Sequence, residues 1–545
     1  MKIKIKNIIA LGIVALTLGA CDSSFLKEYS QDLSRPTTAT DLEELLMGDC
    51  LMPLGYINIE NYNLQIQNTN YAVLHFMGDE LQENISVSGR PGPTTTAPEY
   101  YSFFTWQRNT FVDYEGRESY TSNEANYWNL AYEKIDRCNM VLGQADEMSF
   151  SNNEDKLLAQ HTKGECHYLR ASYYLTLVNL YGKPYTPATA SQTPGVPIKT
   201  TNYIEDKAYS RNSVAECYDQ IVSDLSAAEQ ELADVDKPQT IYHVGLTAVY
   251  ILRSRVALYM QDWETARHYA TLALEKNSSL QNMVGWDKTQ YPISSANPEV
   301  VYSNGSSCFG NLIYERPGSE SDSYDTNSPV FEVSDHLVAL FDKNDGRRGG
   351  YINSDDDVTY HRWAYHKIDD SRANFGVYKS VSDVFSIRTA EAYLNLAEAD
   401  AQLGNDKEAN DYLNRLRRTR IAKVADLNLS GQDLINAVRE ERERELCFEG
   451  HRWFDLRRYM VDARYPYTKT IEHTFTAYKY QNYEYKKQYT KYFRLEKNDD
   501  AYTLNIPKNI RDFQNSIGSN ARPDRQPFKT VLGEDTGDGD GDEDE

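Results

Sequence analysis

The feature that most restricts this chain is a set of apolar stripes at steps of three and four, running along two separate stretches. From Trp128 a stripe passes through Ala131, Ile135, Cys138 and Leu142, the spacing that puts side chains on one face of a helix. Cys166, Leu169, Tyr173, Leu177 and Leu180 repeat it, and Gly182 with Pro184 stops it. Ser213 with Glu216 forms a capping box that opens Val214, Tyr218, Ile221, Leu225, Ala228 and Leu232. Leu246, Val249, Val256 and Met260 follow, turned at Gln261-Asp262 into Ala266, Ala270, Ala273 and Leu274. Far downstream, Ala390, Leu394, Ala397 and Ala401 lead through Gly404-Asn405-Asp406 into Ala409, Leu413 and Leu416. These last two pairs align at an offset of 143, Asp262-Trp263-Glu264-Thr265-Ala266 against Asn405-Asp406-Lys407-Glu408-Ala409.

Small residues at helix crossings, joined by a short polar turn, resemble tetratricopeptide hairpins. The pattern predicts a helical scaffold mainly over 126–275 and 385–460. Between these stretches, residues 79–125 and 277–375 lose the period and are rich in Gly, Pro, Ser, Asn and Asp, yet they keep Tyr100, Tyr101, Trp106, Trp286, Tyr291 and Trp363. Loops of that length are usually functional or disordered, and their aromatics argue for order. Residues 475–493 alternate Tyr478, Tyr480, Tyr483, Tyr485, Tyr489 and Tyr492 with polar residues, which suggests a β-hairpin or an exposed tyrosine ribbon. The expected fold is therefore mainly α, with tetratricopeptide-like hairpins packed against a loop-rich layer with minor β.

The 545 residues are 40% hydrophobic and 25% charged, a globular composition that excludes collagen, a disordered chain and a polytopic membrane protein. A formal charge of −24 disfavours a phosphate backbone, so nucleic acid is not an expected partner. The chain has 42 Tyr against 17 Phe and 6 Trp, and tyrosine suits surfaces that bind as well as cores.

Lys2, Lys4 and Lys6 precede an apolar run from Ile8 to Leu18, too short to span a bilayer, and Leu18-Gly19-Ala20-Cys21 follows. This resembles a bacterial lipobox, with residues 1–20 as a leader cut before Cys21 and Cys21 carrying the lipid. The alternative is an ordinary signal peptide with an incidental cysteine. No later stretch approaches 18 uninterrupted apolar residues, so contact with a membrane is expected through the lipid anchor only. Cys50, Cys138, Cys166, Cys217, Cys308 and Cys447 show neither Cys-x-x-Cys nor zinc-finger spacing. Buried thiols are the expectation, with a disulfide open to an exported chain.

Leu434, Val438, Glu441, Glu445 and Phe448 put two carboxylates on one helical face. Paired carboxylates suit a glycosidase, but Arg439, Arg442, Arg444, Arg452, Arg457 and Arg458 crowd the same segment, and arginines paired to carboxylates in an apolar stripe are structural. Glu534 to Glu545 carries eight acids and no base, and Asp538, Asp540 and Asp542 imitate a calcium loop that lacks its glycine and its final ligand. A solvated, disordered tail over 534–545 is expected. Asp342 to Gly346 departs from the calcium pattern as well, and His361 and His366 are five apart, off helical zinc spacing. His-Glu-x-x-His, Gly-x-Ser-x-Gly and the P-loop are absent from the sequence. No cofactor, metal or catalytic residue is expected.

A larger resemblance rests on segments in order. They are Gly164-Glu165-Cys166-His167-Tyr168-Leu169-Arg170-Ala171 into Tyr181-Gly182, Asn297-Pro298-Glu299-Val300-Val301-Tyr302, Leu340-Phe341-Asp342 before Asp345-Gly346-Arg347-Arg348, and Arg388-Thr389-Ala390-Glu391-Ala392-Tyr393-Leu394. The most distinctive is Glu440-Glu441-Arg442-Glu443-Arg444-Glu445-Leu446-Cys447-Phe448-Glu449-Gly450-His451-Arg452-Trp453-Phe454-Asp455-Leu456-Arg457-Arg458. With the leader and lipobox, the chain resembles the RagB/SusD family of outer-membrane nutrient-binding lipoproteins over most of residues 21–533. Ile506-Pro507 and Gln514-Asn515 resemble its closing motif, and the acidic tail is an addition.

The resemblance implies a non-enzymatic, lipid-anchored protein of the outer membrane, facing the cell surface. It implies four tetratricopeptide-like hairpins and a partner, a TonB-dependent SusC-like transporter that receives oligosaccharides or, in some members, peptides. The shared motifs lie in the scaffold, so the ligand residues have to be argued from this sequence. A Trp or Tyr ring matches the flat C–H face of a sugar, and neighbouring polar groups meet its hydroxyls. Trp286, Tyr291, Trp106, Tyr100 and Tyr101 fit that role, with Asp79, Arg90 and Asn304 as polar partners. For each ring the competing expectation is burial that anchors its loop. Trp128, Trp263 and Trp453 lie in helical stripes and are assigned to the core. A glycan-binding import lipoprotein leads, a peptide-binding importer of the same architecture is second, and a glycoside hydrolase is a distant third.

Overall fold

The capping box at Ser213 opens a helix as the sequence demands. The Ser213 hydroxyl accepts the Glu216 N–H at 3.2 Å, and the Glu216 carboxylate accepts the Ser213 N–H at 2.7 Å. In the computed structural model, the described residues are 36–51, 56–58, 65–67, 73–83, 101–117, 124–203, 205, 207–236, 238, 240–304, 331–354, 363–368, 381–382, 386–481 and 484–533. Cys21, Tyr100, Arg90, Cys308 and the tail 534–545 lie outside them.

The principal helices are α1 (Ala39–Leu45), α2 (Glu124–Glu147), α3 (Asn153–Tyr181), α4 (Val214–Leu232), α5 (Leu246–Met260), α6 (Trp263–Lys276), α7 (Thr389–Leu403), α8 (Asp406–Arg418), α9 (Gly431–Glu445) and α10 (Arg452–Met460). Each of α2 to α8 packs against the next. The pairs predicted at an offset of 143 are α5–α6 and α7–α8, and both turn through a left-handed residue, Gln261 at φ 61° and Gly404 at φ 85°. The Asp262 side chain then caps α6 by accepting the Thr265 N–H. Each hairpin hides its small residues, with Ala266, Ala270, Ala273, Ala390, Ala397 and Ala409 buried. Trp128 and Trp453 are core residues as expected, and Trp263 is half-buried against the same core. Among the described residues no helix is long and apolar enough to cross a membrane.

Strands are short except in one hairpin. β1 (Leu81–Glu83) pairs antiparallel with β3 (Phe331–Val333), and β2 (Val300–Tyr302) pairs with β6 (Ile387–Arg388). β4 (Ile352–Ser354) pairs with β5 (Trp363–Tyr365). The tyrosine-rich segment is the predicted hairpin, β7 (Ile471–Gln481) with β8 (Glu484–Leu495), and β9 (Lys529–Leu532) adds to its edge. A second core of Phe76, Leu81, Phe104, Met283, Ile293, Phe331, Tyr351 and Tyr365 underlies the loop-rich layer. That layer is therefore built on its own apolar floor beside the helical scaffold.

Candidate functional site

The two carboxylates of α9 are sealed. Glu441 and Glu445 have side chains about fully buried, 1% and 0% exposed. Glu445 accepts from Arg347 at 3.0 Å, from Arg388 at 3.0 Å, from Arg420 at 2.9 and 3.0 Å, and from the Tyr351 hydroxyl at 2.9 Å. Arg388 and Arg420 also reach Glu299 at 2.7 and 2.6 Å, while Glu449 takes Arg388 and Lys367, both at 2.6 Å. Arg347 closes the lattice on Asp345 at 2.7 Å and Glu441 at 2.7 Å. Burial alone would raise the Glu445 carboxyl, but Arg420 and Arg388 hold it well below the usual carboxylate range. Glu441, facing Arg347 and Arg444, is likewise held down, to about 2. A carboxyl that stays ionised and walled in by guanidinium groups has no proton to give and no route to a substrate. The structural ion-pair reading is the one the geometry carries. The segments that bore the family resemblance, around Glu299, Asp345, Arg388 and Glu445, thus meet in one buried charge lattice.

The candidate ligand residues divide by burial. Trp106 is fully buried, and its indole Nε1 donates to the Met77 carbonyl at 2.9 Å. Its ring stacks on His473 at 4.4 Å, which itself stacks on Phe104 at 4.0 Å. Burial pushes the His473 imidazole down to about 4, so this stack is neutral. Trp106 is a loop anchor rather than a ligand platform, and its φ of +53°, costly for a bulky side chain, is tolerated because the ring is locked on all sides. Asp79 is also withdrawn from ligand duty. Its carboxylate takes Arg452 through two bonds of 2.7 Å and Lys469 through one of 2.6 Å. Tyr101 turns its ring edge-on to Phe475 at 4.6 Å and Phe493 at 6.1 Å, so it packs the base of the hairpin. Asn304 is buried beside Tyr168, Arg255 and Tyr302 in a narrow cleft.

Trp286 and Tyr291 remain at the surface, both half-buried. Gly285 at φ +71° has open space where a Cβ would stand, and that left-handed turn lifts the next residue out of the backbone path. The indole is less free than the sequence suggests. Its Nε1 donates to the Gln290 carbonyl at 2.8 Å, and a Cβ on Gly350 would meet its Cδ1 at 3.1 Å. One side therefore rests on the second core while the rest faces solvent. Asp287 next to it accepts the Thr289 N–H at 2.9 Å, which fixes the loop with its carboxylate exposed. Tyr291 stacks on His366 at 4.4 Å, and His366 belongs to the segment following β5.

That strand supplies a ring which the sequence noted as a loop aromatic but did not place in the site. Trp363 is half-buried on β5, packed against the same second core as Trp286, with the Arg348 guanidinium 4.9 Å from its ring centre. Asn353 on β4 donates to the Lys288 carbonyl at 3.3 Å and so ties the two segments together. The face thus offers half-exposed rings on a rigid floor, with a guanidinium, a carboxylate and loop amides alongside. That is the chemistry of a shallow recognition surface, apolar plates flanked by polar groups.

Residues 316–520 match the SusD family model, and residues 58–258 match a model described as starch-binding associating with outer membrane. Over both stretches the chain resembles the SusD family. A SusD-like protein of Formosa agariphila is 25% identical over 396 residues, spanning 62% of this chain and 72% of its own length. Among solved structures, a SusD superfamily protein from Bacteroides thetaiotaomicron superposes with a TM-score of 0.64 at 19% identity, covering 89% of this chain and 100% of the other. A SusD-like carbohydrate binding protein from Bacteroides vulgatus gives 0.64 at 21%, covering 88% and 98%. Surface glycan-binding protein A from Bacteroides uniformis gives 0.61 at 18%, covering 89% and 100%. These likenesses bear out the mainly helical SusD fold that the motifs implied.

Proposed function

We propose that this SusD-like chain captures oligosaccharides at the surface of the outer membrane and delivers them to a TonB-dependent SusC-like transporter. The observation that carries the reading is that Trp286 and Tyr291, on one loop, are both half-exposed, with Trp286 braced by the second core. Such rings bury sugar C–H faces at little entropic cost, because they are ordered before the ligand arrives. The names of the relatives point the same way, being starch-binding, carbohydrate binding and surface glycan-binding. The protein performs no chemistry on its ligand in this reading, and the paired carboxylates of α9 are spent on arginines. Residues 21–533 act as one unit, with 534–545 as an appended acidic tail.

Titration of an oligosaccharide panel into the chain and into Trp286→Ala tests the site. The variant is expected to bind more weakly by about 1–3 kcal/mol, on the scale of ring stacking against a flat partner. Its melting temperature falls less than that of a fully buried tryptophan truncation, because the ring is only half-buried. Unchanged affinity in a destabilised variant would return Trp286 to a purely structural role.

Anchoring rests on Cys21. Cys21→Ala is expected to release a folded protein into the soluble fraction, since the lipid contributes nothing to the core. Radiolabelled fatty acid still carried by the variant would contradict this.

A further inference from the structure

Glu165 differs from the scaffold's other buried carboxylates in what it faces. Glu391, Glu398, Glu445, Glu449 and Asp455 each face an arginine. Glu165 faces two imidazoles. His161, one helical turn earlier on α3, places Nδ1 3.0 Å from Glu165 Oε1. His243, in the loop just before α5, places Nδ1 2.9 Å from the same oxygen. The other oxygen, Oε2, accepts the Val244 N–H at 2.8 Å, which fixes the plane of the carboxylate. The two rings are 6.0 Å apart and tilted by 62°, and both Nδ1 atoms meet the same Glu165 oxygen. Nε2 of His161 is buried and has no hydrogen-bond partner, so the ring is held in place mainly through Nδ1.

Two nitrogens and one oxygen, all within 4.8 Å of one another, form a ligand set of borderline softness. Zinc takes such ligands at about 2.0–2.2 Å, which sets ligand atoms of a tetrahedral site about 3.4 Å apart. The contacts of 2.9 and 3.0 Å therefore need to open by only about 0.5 Å to admit an ion at zinc's bond lengths. The imidazoles are 14% and 16% exposed and Glu165 3%, so solvent reaches the cluster along the imidazoles. The Val244 amide already supplies the outer hydrogen bond that orients a ligating carboxylate.

We propose that His161, Glu165 and His243 bind a borderline divalent transition-metal ion, Zn²⁺ by preference. The ion clamps the loop before α5 onto α3. That loop matters beyond its own fold, because the Ile241 carbonyl accepts the Ser303 N–H at 2.8 Å, immediately after β2. Metal at this point stiffens the junction between helical scaffold and loop-rich layer. Sequence spacing could not reveal the site, since His243 lies 78 residues beyond Glu165.

The test uses the full chain purified without a histidine tag and stripped with chelator. Calorimetry with Zn²⁺ is expected to show one ion per chain. The melting temperature should rise with Zn²⁺ concentration and return on adding EDTA. Co²⁺ should give the visible absorption of a low-symmetry nitrogen–oxygen site, and Ca²⁺, which prefers oxygen ligands, should do neither. His161→Ala and His243→Ala, each checked for native circular dichroism, should abolish the Zn²⁺ response. Absence of Zn²⁺ and Co²⁺ binding, or binding that survives both substitutions, would overturn the proposal and leave a hydrogen-bonded triad only.

Discussion

Glu445→Gln lowers the stability of the folded chain by about 3–5 kcal/mol, the scale for breaking a buried ion pair from one side. The amide keeps the shape but loses the charge that three arginines share, Arg347, Arg388 and Arg420. Its NH2 end would also point a donor at one of those guanidinium groups, which have no acceptor to offer. Denaturant unfolding with an unchanged m-value measures the loss. Ligand affinity of the folded fraction is expected to stay as it was, because the lattice is sealed from solvent. The same logic fixes the effect of acid. A carboxyl whose folded pKa is depressed contributes fully above its ordinary value of 4.5, and that contribution is lost as pH falls below it. A large affinity loss at unchanged stability would mean that this face contacts ligand.

Trp106→Ala is expected to cost about 3–5 kcal/mol of stability, as truncation of a buried tryptophan does. The change empties a fully buried volume, removes the stack on His473 and leaves the Met77 carbonyl without its indole donor. Thermal melting checks it. Oligosaccharide affinity is expected to be unaffected in whatever fraction remains folded. The contrast with Trp286→Ala, where affinity falls more than stability, separates an anchor from a platform. Weaker binding by Trp106→Ala with a native melting curve would reverse that assignment.

The helices were legible because their signals are local. A capping box at Ser213, a turn at Gln261-Asp262 and stripes of alanine and leucine each act within a few residues, and the folded chain honours each of them. The charge lattice was legible in kind but not in partners. The arginines nearest Glu445 in sequence are Arg442 and Arg444, yet Arg442 goes to Asp455 and Arg444 to Glu441. Glu445 is instead met by arginines from residues 347, 388 and 420. Only the packing of three distant segments makes that choice.

Which of the loop residues stay at the surface was legible only in part, for a related reason. Trp106 and Trp286 are both aromatics in segments without helical period, and nothing within a few residues of either states whether the ring points inward. Trp106 is claimed by His473 and Met77, whereas Trp286 rests on Gly350 and stays half-exposed. Asp79 was named for its polarity, but Arg452 and Lys469 arrive from residues remote in sequence and consume it. Burial of a loop aromatic and pairing of a loop carboxylate are tertiary facts.

The central claim is that the half-exposed rings of this SusD-like chain take sugar. Calorimetric titration of the purified full chain with oligosaccharides of varied linkage, alongside peptides of matched length, tests it most directly. The account predicts heat of binding from at least one oligosaccharide class, lost in Trp286→Ala, and none from the peptides; binding confined to peptides would contradict it.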